Sequence, residues 1–420
     1  MSMTLSEELQ WRGFIHQTTY KDIAVVDGPP ITFYWGVDPS APSMTIGNLA
    51  IAMMVRHFID HGHNAVLLVG GATGLIGDPD GKAEERNLKT KEEITTNKDE
   101  IVKQYARIFD GQDFKLVDNY EWFKDLNYLD FLRDVGKHMP MRQMLGREFV
   151  QSRLGEDGSG ISYAEFSYAL IQGYDYVHLH RTLGVTLQVC GSDQWGNSIA
   201  GVELIRRMNG GEANVWSAPL VINKSTGKKF GKTEGGAIWL DEGLTSAYRF
   251  YQFWLNVDDE GIEDYLKIYT LLGKEQIENV LREFNENRAT RIAQKTLAYE
   301  VTKVVHGAGK ADDVKRLTNV LFGQGDIRQL SQADFTLLKD ELPVLEFSEG
   351  EELSQAVTDT GLAQSKSEAR RFLEQGAVYI NGETAQPNKM LSSPMTLDGT
   401  HVLLRRGKNM YAVLVLRASA

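Results

Sequence analysis

Cysteine is nearly absent from this chain, with Cys190 the only one in 420 residues. A lone thiol in the apolar run Val185-Thr-Leu-Gln-Val-Cys190 excludes a disulfide framework and cysteine-rich metal sites, and it points to a reduced, cytoplasmic setting. Long apolar runs are missing as well. No stretch approaches the roughly 18 residues needed to span a bilayer, and no basic region followed by an apolar core opens the chain, so a soluble protein without a membrane partner is expected. Positive charge is scarce: 45 Lys and Arg face 57 Asp and Glu, for a net charge of −12. The deficit is uneven, because the residues from Gly361 onward carry +4 and the remainder −16. An acidic body with one basic module is compatible with nucleic acid held locally through its phosphates.

Familiar motifs are excluded by counting. A phosphate loop of the G-x-x-x-x-G-K-[ST] kind ending at Gly231-Lys232-Thr233 needs glycine at 226, where Thr226 stands. Gly81-Lys82 fails too, since Ile76 and Ala83 replace the required glycine and hydroxyl. No G-x-G-x-x-G follows the first strand, which disfavours a nicotinamide enzyme. His178 and His180 lack a further matched ligand, so they are taken as packing or surface histidines and no metal site is expected on the protein.

What remains has α/β organisation. A chain of this length at 42% hydrophobic residues can fill two or three domains. After a polar amino-terminal helix, residues 31–34 predict a strand, 35–48 a loop with Pro39 and Pro42, 49–59 an apolar helix and 65–69 another strand. The glycine-rich stretch 70–82 predicts a mobile loop. Residues 185–190 have strand composition, and Ile199, Val202, Ile205 and Met208 recur at helical spacing. The polar heptad between them, Gly191-Ser-Asp-Gln-Trp-Gly-Asn197, therefore sits at a strand-to-helix turn. In a parallel sheet such turns line the ligand crevice, which makes Asp193 and Gln194 candidate ligands. Residues 245–323 predict helices, with Ala293, Leu297, Val301, Val304 and Val305 at intervals of three, four and one. The acidic stretch 323–350, broken by Pro343, predicts a connector. A last small domain follows. Its helix at 365–375 carries Lys366, Arg370 and Arg371, and its strands at 401–406 and 410–416 close around Arg405, Arg406 and Lys408.

Three segments, Tyr34-Trp-Gly-Val-Asp-Pro-Ser-Ala-Pro-Ser-Met-Thr-Ile-Gly-Asn48, the heptad, and Lys229-Phe-Gly-Lys-Thr233, together resemble the bacterial tyrosyl-tRNA synthetases in order and spacing. The likeness extends over essentially the whole chain. It implies a Rossmann-like parallel-sheet catalytic domain over 1–225 with a dimer-forming insertion at about 110–165, and a lysine loop over 226–240. It also implies an α-helical anticodon-side domain over 241–323, a linker over 324–350 and a small α+β S4-like RNA-binding domain over 351–420. The implied activity is that of a homodimer that activates tyrosine with ATP, releases pyrophosphate and esterifies the 3′ end of tRNA(Tyr). ATP is then a substrate, and Mg2+ arrives on its phosphates.

The resemblance also implies roles. Tyr34 and Asp175 meet the substrate phenol, and Asp78, Tyr168 and Gln172 meet its ammonium group. Tyr168, Gln172 and Asp175 are spaced to share one helix face. Gln194 joins the tyrosine contacts, while Gly36, Asp38, Gly47, Asn48, Gly191, Asp193 and Lys232 meet ATP. Lys82, Arg86, Lys229 and Lys232 surround the leaving pyrophosphate, with Thr233, Ser40, Thr45 and Asn48 as further catalytic contacts. Arg370, Arg371, Arg405, Arg406 and Lys408 meet tRNA. One segment departs from the family: its usual His-x-Gly-His is Thr45-Ile-Gly47-Asn48, and Trp35 stands at a place near the ribose where a small residue is common. The loss of both imidazoles keeps a second expectation open, a catalytically impaired paralogue acting as an RNA-binding protein. A tryptophanyl enzyme and a nucleotidylyltransferase are further alternatives.

Overall fold

The middle strands of the larger sheet are apolar on both faces, and that composition places them inside. β3 Asn64–Val69 and β5 Leu187–Gly191 are buried at every position after Asn64, as parallel strands covered on both sides must be. The computed structural model describes residues 3–79, 88–155, 158–233, 236–322, 325–408 and 410–417. They fall into two units, one holding 1–246 with 252–307 and the other 247–251 with 308–420.

In the first unit, β1 Gln17–Thr18, β2 Thr32–Val37, β3, β4 Phe114–Asp118, β5 and β6 Asn214–Ala218 form a sheet in the order β1-β6-β5-β2-β3-β4. Only β1 runs antiparallel to its neighbour. The chain steps outward from β2 to β4 on one side and from β5 to β6 on the other, so the switch point lies between β2 and β5. These two strands pair only at Phe33 with Leu187 and Tyr34 with Gln188, whereas β2 and β3 stay in register from Thr32 to Val37. Beyond Tyr34 the sheet splits, and the split opens at the carboxyl ends of the strands.

The helices before and between the strands are α1 Leu5–Arg12, α2 Ile46–Asp60, α3 Thr73–Ile76, α4 Lys91–Ile108, α5 Tyr120–Phe123, α6 Tyr128–Asp134, α7 Met141–Leu145, α8 Glu148–Leu154, α9 Tyr163–Leu183 and α10 Trp195–Asn209. α2 buries Leu49, Ala50, Ile51, Ala52, Met53, Met54, Val55 and Phe58, nearly all round its circumference, as a core helix does. Its start at Ile46 and the end of β2 at Val37 shorten the loop expected over 35–48. The expected loop at 70–82 likewise contains α3. β4, inside the stretch expected to open an insertion at about 110, is an integral strand of the sheet.

A short ribbon follows, β7 Lys232–Thr233 with β8 Gly236–Ala237. Next come α11 Ala247–Leu255, α12 Ile262–Tyr269, α13 Lys274–Glu286 and α14 Ile292–His306. The helices expected as a separate domain over 241–323 are divided: α12 to α14 group with the sheet, and α15 Ala308–Leu321 with the second unit. One buried cation explains part of that grouping. Arg12 of α1, 2% exposed, donates to the carbonyls of Lys267, Thr270 and Leu272 at 2.7, 3.1 and 2.8 Å. It thereby satisfies acceptors that the end of α12 leaves open.

The second unit contains α15, α16 Gln332–Glu341, β9 Val344–Phe347, α17 Leu353–Asp359, α18 Lys366–Glu374, β10 Val378–Ile380, β11 Glu383–Thr384, β12 His401–Arg406 and β13 Met410–Leu416. Its sheet has the order β11-β10-β12-β13-β9. The described part of the segment expected to link domains, 325–350, is therefore structured. β9 pairs in parallel with β13, and Phe347 joins Leu353, Val357, Leu373, Val402 and Leu414 in one core.

Candidate active site

At the split, polar side chains replace the apolar core. Asp38 follows β2, Gly70 follows β3 and Asn119 follows β4, so each lies at a carboxyl strand end. Asp175 of α9 is 1% exposed and receives two donors, the Asn119 amide on Oδ2 at 3.1 Å and the Trp122 indole N–H on Oδ1 at 2.9 Å. Burial pushes its carboxyl well above the usual range, while the bonds from Asn119 and Trp122 pull the other way. The Asn119 amide also donates to Thr73 Oγ1 at 2.9 Å, and the Ala72 N–H donates to Asn119 Oδ1 at 2.7 Å. Thr73 in turn donates to Asp38 Oδ1 at 2.6 Å, and the Tyr168 hydroxyl donates to Asp38 Oδ2 at 2.7 Å. Asp38, expected among the ATP contacts, thus belongs to the network that orients Tyr168. Gly70 is required by space, since a Cβ there would lie 2.0 Å from Asp38 Oδ1 and 2.3 Å from Thr73 Oγ1.

Beside Asp175, the Tyr34 ring packs edge-on against Tyr176 with centroids 5.1 Å apart. Burial, reinforced by the neighbouring Asp175, keeps its phenol protonated far above the ordinary range. Among the described residues its hydroxyl has no partner, and neither do the buried oxygens Gln172 Oε1, Gln188 Oε1 and Asn197 Oδ1 on the elements that frame the split. Each such atom costs about 1–3 kcal/mol, so the cleft suits a polar ligand that supplies the missing partners. Asp78 is joined to the heptad: Gln194 donates to its Oδ2, and the Asn197 amide reaches its Oδ1 at 3.5 Å and Gln194 Oε1 at 3.2 Å. Trp35 requires correction. It is 4% exposed and packs on Tyr105 and Phe109 at 5.4 and 6.4 Å, on the opposite face of β2 from Tyr34 and away from the cleft.

The other wall is the amino terminus of α2. Thr45 donates from both its backbone N–H and its hydroxyl to Asn48 Oδ1, each at 3.0 Å, so these two replacements cap the helix together. The Asn48 amide nitrogen is not used in that pair. A capped helix terminus presents N–H groups and a positive dipole end to anions. Gly47 lies in this first turn, Gly36 is exposed on β2, and Ser40 donates its N–H to the Asp38 carbonyl at 2.8 Å. Gly191 ends β5, where a Cβ would sit 2.5 Å from Asp193 Oδ1, and Asp193 itself is exposed.

The lysine loop is tied directly to this helix. Thr45 bridges to Trp239, and the Ile46 N–H donates to the Ile238 carbonyl at 3.2 Å. Gly231, at φ 84°, lies against Ile46, whose Cγ1 would be 2.5 Å from a Cβ at that position. Phe230 is buried, stacked on Tyr265 with centroids 4.2 Å apart and close to Trp254 at 5.6 Å. An anchored Phe-Gly pair therefore separates exposed Lys229 from Lys232 and Thr233, whose backbone forms β7. Lys82 and Arg86 lie outside the described residues.

In the second unit, the expected tRNA-binding cations are partly organised by aromatic rings. Arg405 lies 3.8 Å over Tyr379, while Arg406 and Arg371 lie 4.9 and 5.4 Å over Phe372. Arg371 also pairs with Glu368 at 3.2 Å, Arg370 lies 3.6 Å from Glu352, and Lys408 is exposed.

Asn119, Trp122, Thr73 and Gly70 were not singled out from the sequence. Asn119 and Trp122 had a usable signal, since the run Phe114-Lys-Leu-Val-Asp118 followed by Asn-Tyr-Glu-Trp122 is again a strand leading into a polar turn.

The split in the sheet, the helix terminus and the lysine loop all lie within residues 27–323, whose family match makes this a class I aminoacyl-tRNA synthetase catalytic domain. Residues 27–323 match the family described as tRNA synthetases class I (W and Y), and residues 334–414 match the tyrosine–tRNA ligase SYY-like C-terminal domain. The chain is 43% identical over 419 residues to the tyrosine–tRNA ligase of Staphylococcus saprophyticus subsp. saprophyticus, covering 98% of this chain and 99% of that one. Among solved structures it resembles a C-terminally truncated mitochondrial tyrosyl-tRNA synthetase of Aspergillus nidulans, with TM-score 0.69 at 30% identity over 76% of this chain and 94% of that one. The corresponding enzyme of Coccidioides posadasii gives TM-score 0.65 at 28% identity over 75% and 91%. The chain belongs to the tyrosyl-tRNA synthetase family of class I ligases. The terminal match begins at 334, inside the stretch expected as a linker, in agreement with the pairing of β9. Nothing in these likenesses favours an impaired paralogue.

Proposed function

We propose that the split between β2 and β5 holds tyrosine, that α2 and the lysine loop hold ATP, and that the second unit holds tRNA(Tyr). The observation that carries this reading is the buried Asp175, supported by two donors beside the unpartnered Tyr34 hydroxyl. Asp175 accepts the hydrogen bond of the substrate phenol, and Tyr34 supplies a second partner. Phenylalanine would leave these buried groups unpaired, which is how a polar pocket rejects an analogue lacking a hydroxyl. Asp78, Tyr168 and Gln172 take the ammonium group, with Gln194 held on Asp78.

In the first step a carboxylate oxygen of tyrosine attacks the α-phosphorus of ATP, the bond to the β-phosphate bridging oxygen breaks, and pyrophosphate leaves. In the second, the terminal ribose hydroxyl of tRNA attacks the tyrosyl carbonyl, and AMP departs. The protein contributes positioning and positive charge where the leaving group develops negative charge. Lys229 and Lys232, with Lys82 and Arg86, supply that charge; Asp193 takes the ribose, and Gly36, Gly47 and Gly191 admit the nucleotide closely. Mg2+ enters on the ATP phosphates. Among the described residues no group of three or more His, Cys, Asp or Glu side chains offers it a cage of its own.

A homodimer is part of this proposal. Tyr128 and Tyr163, 58% and 61% exposed, line an apolar cavity of about 270 Å3 with Phe123, Phe131, Leu170 and Ile171, and Leu129 and Met141 are 72% and 57% exposed. An apolar surface of this kind suits isologous pairing of two copies. No helix among the described residues is long and apolar enough to cross a membrane, and the buried free thiol of Cys190 suits a reducing cytoplasm.

The test is amino-acid-dependent exchange of pyrophosphate into ATP, with tyrosine, phenylalanine and tryptophan compared under one set of conditions. Exchange with tyrosine alone is expected. Equal exchange with phenylalanine would remove Asp175 from its assigned role.

A further inference from the structure

We propose that His178 is a positioning residue for tyrosine recognition, holding the indole of Trp122 flat so that its N–H stays on Asp175. This rests on the reading that Asp175 receives the substrate phenol. The imidazole lies 4.4 Å from the Trp122 ring with the two planes 14° apart, and the indole N–H donates to Asp175 Oδ1 at 2.9 Å. Asp175 and His178 are three residues apart on α9, hence neighbours on one face of that helix. A single helix thus grips the indole twice, by its edge through a carboxylate and by its face through a stacked ring. Trp122 needs such support. Its own element, α5, has four residues and no side-chain cap, so the indole is held by what packs on it, the neighbouring apolar core and the His178 ring. Burial lowers the basicity of His178, with Arg181 adding to the effect, which favours the neutral ring.

The consequence is specificity. When the indole tilts, Asp175 loses a donor that favours its ionised form, and a tyrosine phenol is affected whereas a phenylalanine ring is not. The experiment uses the full-length chain with His178→Ala, His178→Leu and His178→Phe. Two quantities are read: kcat/KM for tyrosine and phenylalanine in pyrophosphate exchange, and the Trp122 indole N–H resonance in 15N-indole-labelled protein, assigned by its loss in Trp122→Phe. Ala and Leu are expected to displace the resonance and to lower kcat/KM for tyrosine about two- to tenfold, mainly through KM, with phenylalanine unchanged. Phe, which restores a flat ring, is expected to return both to within about twofold of wild type. The inference is overturned if the Ala and Leu variants keep the wild-type resonance and tyrosine-to-phenylalanine ratio. It is equally overturned if both amino acids lose rate together and Phe restores neither. Should the wild-type protein itself fail to prefer tyrosine, the functional reading falls, and the resonance still decides whether His178 holds the indole.

Discussion

Burial and hydrogen bonding pull Asp175 in opposite directions, and its usefulness depends on the balance. Burial raises the carboxyl pKa well above the ordinary range, and the Asn119 and Trp122 donors oppose that rise by favouring the charged form. Removing a donor therefore raises it further. Trp122→Phe keeps an aromatic ring and deletes only the N–H, so the acid limb of kcat/KM for tyrosine is expected to move to higher pH. Near neutrality the same variant should lose about 10- to 100-fold in kcat/KM for tyrosine, the worth of a hydrogen bond to a charged group. A pH profile in which wild type and variant share one acid limb would show that Trp122 does not tune this carboxyl. At this scale the sequence was uneven. The shared helix of Tyr168, Gln172 and Asp175 was legible from their spacing, whereas Tyr34 was placed beside them only by the resemblance. Trp35 was misplaced although the signal was present: extending β2 to Val37 puts alternate residues on opposite faces, and Trp35 then faces Tyr105 rather than the cleft.

Elements supply what single residues cannot, and the clearest case is the docking of the lysine loop on α2. The loop is held by Phe230 in its aromatic socket and by Gly231, which combines φ 84° with near-contact to Ile46. Gly231→Ala would meet both penalties together, an unfavourable left-handed conformation costing about 1–2 kcal/mol and a collision with Ile46. The loop should shift, lowering kcat for pyrophosphate exchange at least about tenfold, while tyrosine affinity measured by equilibrium dialysis stays at the wild-type value. A variant that loses tyrosine binding equally would place the damage in the fold and not in the loop. Strand periodicity made β12 and β13 legible to the residue, since both are long and apolar between polar turns. The acidic stretch with Pro343 concealed α16 and β9, because a four-residue strand whose only buried member is Phe347 carries almost no local pattern. It becomes a strand through its pairing with β13, which no local reading can supply.

Across the whole chain, opposite charge is segregated: the residues from Gly361 onward carry +4 and the remainder −16. An RNA partner held as proposed is then attracted to the terminal unit, and its sensitivity to salt should report on that unit alone. Arg405 and Arg406 are the cations best suited to carry it, because Tyr379 and Phe372 support their guanidinium planes from behind and reduce the entropy lost on gripping a phosphate. Lys366 and Arg370, by contrast, both lie against Glu352, at 2.7 and 3.6 Å. Their attraction for phosphate is partly cancelled before RNA arrives. Arg405→Ala with Arg406→Ala should therefore weaken tRNA binding at moderate salt and lower the slope of log affinity against log salt by about one to two, the loss expected for one or two phosphate contacts. Tyrosine-dependent pyrophosphate exchange should remain unchanged, since that reaction requires no RNA. An unchanged salt slope, measured by filter binding across a salt series, would move the RNA contact away from this pair, and a parallel fall in exchange would contradict the separation of the two tasks between the units.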